Sequence, residues 1–174
     1  MRLTLIPLLL IGCGVRQYAH FTPLADAARA GDVPTIRTLI AHGADPNEAA
    51  GQNNWSPLLH AIHKQQLASV QALLDGGADI NRISGDGITP LMMAAGYGYT
   101  DIVEVLLRRG ANPRIAGPDG VRAIDLAVAG IPDIDRFTLF QCQQDTVRVL
   151  RAADPSVRVS PRVLMWAKAK RCRV

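Results

Sequence analysis

One tripeptide returns at a nearly constant interval along this chain of 174 residues. Thr22-Pro23-Leu24 recurs as Ser56-Pro57-Leu58 and Thr89-Pro90-Leu91, and in weaker form as Arg122-Ala123-Ile124; the proline position steps by 34, 33 and 33 residues. A second marker keeps the same step: Gly43-Ala44-Asp45, Gly77-Ala78-Asp79 and Gly110-Ala111-Asn112. A period of this length means stacked units, each too small to bury its own apolar face alone. Between the markers each unit carries two helical runs. In the third they are LMMAAGYG and DIVEVLLRRG, with Ile102, Val103, Leu106 and Leu107 at helical spacing. Proline opens the first helix where no hydrogen bond is lost. Gly43, Gly77 and Gly110 stand where a left-handed residue ends the second helix, and Asp86-Gly87 and Asp119-Gly120 supply tight turns.

These markers resemble the ankyrin repeat, a β-turn followed by two antiparallel helices. The third unit, GDGITPLMMAAGYGYTDIVEVLLRRGANP, is near the family's consensus. The resemblance implies an all-α repeat solenoid with β-turn or hairpin fingers. About four units (roughly 19–50, 51–83, 84–116 and 117–155) make one repeat domain over 21–155, followed by a C-terminal extension. The histidine of the family's Thr-Pro-Leu-His motif is replaced by Ala25, Leu59, Met92 and Asp125, so its hydrogen bonds are expected to be missing or replaced; His60, one residue later, is not its equivalent. The fourth unit carries an insertion, IPDIDRFTLF, before its second helix resumes as DTVRVLRAA.

The first residues read as an address. MRLTLIPLLLIG has one cation, Arg2, then an apolar run too short to span a bilayer, the layout of a secretory signal. Its ending, Leu10-Ile11-Gly12-Cys13, resembles the bacterial lipobox, which implies cleavage before Cys13 and acylation of that residue. The expectation is a signal peptide over 1–12, then a lipidated Cys13 and tether over 13–20. The alternative is a buried N-terminal strand with Cys13 as a small hydrophobe. Gly14, where an inner-membrane retention signal would resemble Asp, directs the expectation to the periplasmic face of an outer membrane.

The chemistry-bearing residues form no recognisable catalytic set. There is no glycine-rich phosphate loop, Gly-x-Ser-x-Gly or His-Glu-x-x-His. His60 and His63 could share a helix face and hold a metal, but no Cys or carboxylate lies beside them at ligand spacing; a polar contact at a groove edge is the ordinary reading. A hydrolytic centre in the 131–145 insertion would rest on Asp133, Asp135 and Asp145, which lack a base or metal partner. No enzyme activity, cofactor or metal is therefore expected. With Cys13 acylated, Cys142 and Cys172 are left as an even pair, either a disulfide or two unrelated thiols.

In the ankyrin family, turn tips and inner faces of first helices bind other proteins. Carried over position by position, the groove residues are Phe21, Arg29 and Ala30 in the first unit, and Gln52, Asn53, Trp55, His63 and Lys64 in the second. The third provides Gly85, Asp86, Ile88, Gly96 and Tyr97, and the fourth Pro118, Asp119 and Val121. Aromatics are only 5% of the chain, so finding Phe21, Trp55 and Tyr97 here favours binding anchors over satellite packing on neighbouring turns.

The net charge of +4 is local. Without Arg2 and the six cations of 156–174, residues 13–155 hold twelve basic and fifteen acidic side chains. The tail admits an amphipathic helix after Pro161, with three readings: a cap on the last repeat, a contact with anionic lipid, or a dock for an acidic partner. Nucleic acid is not expected as a partner. The sequence thus predicts a monomeric, membrane-anchored binding protein of the periplasm. It would neutralise or protect a partner protein as an immunity protein does, or alternatively scaffold a periplasmic enzyme or envelope complex.

Overall fold

The computed structural model describes residues 21–51, 53–117, 120–130, 142–169 and 172. The expected leader and tether over 1–20, which include Cys13, together with Gln52, Pro118, Asp119, the insertion at 131–140 and the basic residues Lys170, Arg171 and Arg173, lie outside the described residues. Among those described there are nine helices and no named strand. They are α1 (Pro23–Ala30), α2 (Val33–Ala41), α3 (Pro57–His63), α4 (Leu67–Asp75), α5 (Pro90–Tyr97), α6 (Thr100–Arg108), α7 (Ala123–Ala129), α8 (Gln144–Ala153) and α9 (Pro161–Ala169).

The first eight form two layers. Inner helices α1, α3, α5 and α7 pack side by side, and outer helices α2, α4, α6 and α8 stack behind them. The repeated tripeptide explains where each inner helix begins. Thr22, Ser56 and Thr89 sit in extended conformation as N-caps, and their hydroxyls accept from the amides of Ala25, Leu59 and Met92 at 3.2, 3.4 and 3.2 Å. Proline follows as the first helical residue. Eight residues after each proline the chain must reverse into the outer helix through a left-handed residue. Gly31 and Gly98 do this at φ +81° and +74°, but the second unit uses Gln65 at φ +57°.

Every unit repeats its buried positions. Leu24, Leu58, Leu91 and Ile124 pack at one level and Ala28, Ile62, Ala95 and Val128 at the next, none more than 3% exposed. Ile36, Val70, Val103 and Val147 fill the layer between inner and outer helices. Beneath the helices the second marker makes a ladder. Asp45, Asp79 and Asn112 turn the chain by accepting from the amides two residues on, those of Asn47, Asn81 and Arg114. Asn47 and Asn81 then reach one unit ahead to the amides of Asp79 and Asn112 at 2.7 and 2.9 Å. Gly43, Gly77 and Gly110 all adopt positive φ, between +88° and +93°.

Between the third and fourth units the ladder changes chemistry. Arg114 takes the place of asparagine and binds the Asp154 carboxylate through Nε at 2.5 Å and Ser156 Oγ through Nη2 at 2.9 Å. The guanidinium, with the Ser156 hydroxyl and amide, holds the Asp154 carboxyl well below the usual carboxylate range. Helix α9 then lies against α7, with Ala167 fully buried and Val163 and Trp166 half-buried. A disulfide joins Cys142 to Cys172, 30 positions apart in sequence, with Cα atoms 5.8 Å apart.

Candidate groove across the first three units

The four positions expected to carry the motif histidine are Ala25, Leu59, Met92 and Asp125, and the last three units each place a different side-chain contact near that position. In the second unit His60, although one residue out of register, is 7% exposed and its Nε2 lies 3.1 Å from the Ala50 carbonyl. Burial lowers the imidazole pKa from its ordinary value, more than the Ala50 contact raises it. In the third, Met92 Sδ accepts from the Thr89 amide at 3.5 Å. In the fourth, the buried carboxylate of Asp125 accepts from the amides of Arg122 and Ser160 at 3.0 and 2.6 Å, tying the C-terminal extension to the last inner helix.

His60 also starts a continuous row of rings over the first three units. Phe21 meets it edge-on at 5.1 Å between centroids, and Trp55 lies 5.6 Å from its other side. Trp55 contacts His63 edge-on at 5.3 Å, His63 stacks on Tyr97 at 5.7 Å, and Tyr97 on Tyr99 at 5.4 Å. The Arg29 guanidinium sits 4.1 Å above the Phe21 ring, a cation–π contact. Trp55 Nε1 donates to Asp86 Oδ2 at 3.1 Å, joining the second finger to the third, and Ser84 Oγ donates to the same carboxylate. Phe21, Arg29, Trp55, His63 and Tyr97 are half-buried, so the row keeps an accessible edge.

Six expected groove residues thus come together: Phe21, Arg29, Trp55, His63, Asp86 and Tyr97. Asn53 and Lys64 are exposed on the second finger and at the end of α3. Ile88 lines a cavity of about 130 Å³ between the third and fourth fingers, with Asp86, Met92, Val121 and Leu126. Asp119 is outside the described residues. The anchors are also packing residues. Phe21 lies where a Cβ on Gly51 would approach it to 2.7 Å, and Trp55 packs on the core. Tyr99 is not among the expected groove residues, and His60, expected as a polar contact at a groove edge, is a buried member of the ring row. The signal for His60 was its spacing, three residues before His63 and five after Trp55; Tyr99 follows Tyr97 across a helix reversal that sequence periodicity does not place. No cluster of three metal-ligating side chains exists among the described residues.

The two-helix unit, repeated four times with the same buried positions and opened by a hydroxyl cap in the first three, matches a known family. A family model described as ankyrin repeats (3 copies) matches residues 2–84, and a second, ankyrin repeats (many copies), matches 73–127. The chain belongs to the ankyrin-repeat family. Such repeats mark it as a protein–protein interaction module. The first match includes residues 2–20, the stretch expected to be leader and tether. Among curated relatives, the ankyrin chain is 35% identical over 98 residues to the mouse B-cell lymphoma 3 protein homolog, 56% of this chain and 22% of that protein. It is 32% identical over 142 residues to the E3 ubiquitin-protein ligase hecd-1 of Caenorhabditis elegans, 79% of this chain and 5% of that one. To the chicken nuclear factor NF-kappa-B p105 subunit it is 36% identical over 88 residues, 49% and 9% respectively. The chain therefore spans under a quarter of the length of these relatives.

Proposed function

We propose that this ankyrin protein is held on the periplasmic face of a bacterial outer membrane by lipid on Cys13, and that it binds and neutralises or protects one partner protein without catalysing a reaction. The observation that carries the binding reading is the ring row Phe21–His60–Trp55–His63–Tyr97, flanked by Arg29 and Asp86. Rigid, half-buried aromatics lose little conformational entropy on docking, and the flanking charges of opposite sign set the direction of a bound segment. The leader layout of residues 1–13 supports the anchor, and the Cys142–Cys172 bond is consistent with an oxidising compartment.

The test is affinity capture from membranes with the parent chain and Trp55→Ala. Because Trp55 bridges two fingers, its loss costs about 1–2 kcal/mol of fold stability, so capture is compared below both melting transitions. A captured protein lost at least tenfold in the variant, and whose toxic activity the parent suppresses, supports the reading. Equal capture by both chains sinks the groove assignment. A captured resident enzyme that stays active while bound assigns the scaffold role instead.

A further inference from the structure

Helix α9 is held at both ends. At its start the Ser160 amide donates to the buried Asp125 carboxylate at 2.6 Å; past its end Cys172 is bonded to Cys142, and its amide donates to the Ala167 carbonyl at 2.9 Å. One side, Val163, Trp166 and the fully buried Ala167, faces the stack. The opposite side presents Arg162, Met165 and Lys168 at three-residue steps, with Arg158 just before it, all exposed. Met165 is 70% exposed. No acidic residue occurs from 156 to 174, whereas 13–155 carries more acids than bases.

We infer that the outward face of α9 is a docking surface for an anionic phospholipid bilayer, with Arg158, Arg162 and Lys168 on lipid phosphates and Met165 in the interfacial layer. Charge complementarity carries this. A cationic face around one exposed apolar side chain fits a surface that is anionic outside and apolar just beneath. Fixed by the Asp125 contact and the disulfide, the helix needs no folding on contact. The mildly acidic repeat array gains nothing from the same surface, so the tail alone faces it. The contact stands independently of acylation at Cys13.

The test uses the full chain carrying Cys13→Ser, which cannot be acylated, in co-sedimentation with phosphatidylcholine vesicles containing 30% phosphatidylglycerol. Pure phosphatidylcholine vesicles read any insertion by the apolar residues 1–12. Each cation near an anionic surface is worth about fivefold in partitioning. The triple variant Arg158→Glu, Arg162→Glu, Lys168→Glu should therefore lose the phosphatidylglycerol-dependent binding by about a hundredfold, and Met165→Ser by a few-fold, with unchanged circular dichroism. Binding that ignores phosphatidylglycerol, or a triple variant that sediments like the parent, overturns the inference. So does equal retention of parent and Met165→Ser on immobilised poly-glutamate with no vesicle binding, which assigns the face to an acidic protein.

Discussion

His60 shows how one side chain can serve both fold and surface. Its Nε2 meets the Ala50 carbonyl at the base of the second finger, while its ring seats Phe21 and Trp55. Burial, with Arg29 and Lys64 nearby, pushes its pKa down; the Ala50 contact and Asp26 oppose that. The unfolded chain titrates at the ordinary value, about 6.5. As pH falls below that value the unfolded state takes the proton first, so the stability His60 contributes is complete above about 6.5 and is lost through the lowered folded pKa. At pH 7.5, His60→Gln should cost about 1–2 kcal/mol. Thermal melts at pH 5.5 should show a smaller gap between variant and parent; an unchanged gap would mean the imidazole is not held neutral. Gln65, at φ +57°, also works under constraint, since a side chain in the left-handed region costs about 1–2 kcal/mol. The neighbouring units place glycine there.

At the scale of elements, the distinctive piece is α9. An ankyrin stack ends in an open face, and here α9 covers the outer side of α7 with Ala167 and Trp166. The Arg114–Asp154 contact, Asp125 and the disulfide carry the chain from the last unit into that cap. In the chain-entropy model a bond closing a 30-residue loop contributes about 3.5 kcal/mol. Reduction, or Cys172→Ala, should therefore lower the melting temperature by several degrees and speed amide exchange in α9 and α7 while α1–α4 exchange as before. Uniform loss of protection along the array would show that the bond supports the whole stack instead of its end.

For the whole molecule, nearest-neighbour packing decides cooperativity. Each inner helix packs mainly on those before and after it in the inner layer, so a defect in a central unit weakens two interfaces. Leu91→Ala, at a site 1% exposed in the third unit, should cost about 3 kcal/mol. Helical circular dichroism and Trp55 fluorescence should shift together in denaturant. Separate midpoints would show that the second and third units have uncoupled. The same linear arrangement separates functions along the chain: the ring row spans the first three units, and the basic face of α9 lies at the far end.

The repeat was legible because it is written in short-range chemistry. Thr22-Pro23, Ser56-Pro57 and Thr89-Pro90 cap helices through contacts three residues away, and glycines 43, 77 and 110 turn the chain by their own backbone freedom. Spacing therefore determined the repeat and where each inner helix starts, and it was the resemblance to ankyrin repeats that implied the fold class and the candidate face holding Phe21, Trp55, His63 and Tyr97. What spacing could not determine was which neighbour each side chain meets. That Trp55 reaches Asp86, that His60 meets the Ala50 carbonyl, and that Asp125 holds Ser160 all depend on contacts 10 to 35 residues apart. Only the packed stack brings those groups within hydrogen-bonding distance, because the curvature and register of successive units, absent from local pattern, decide it.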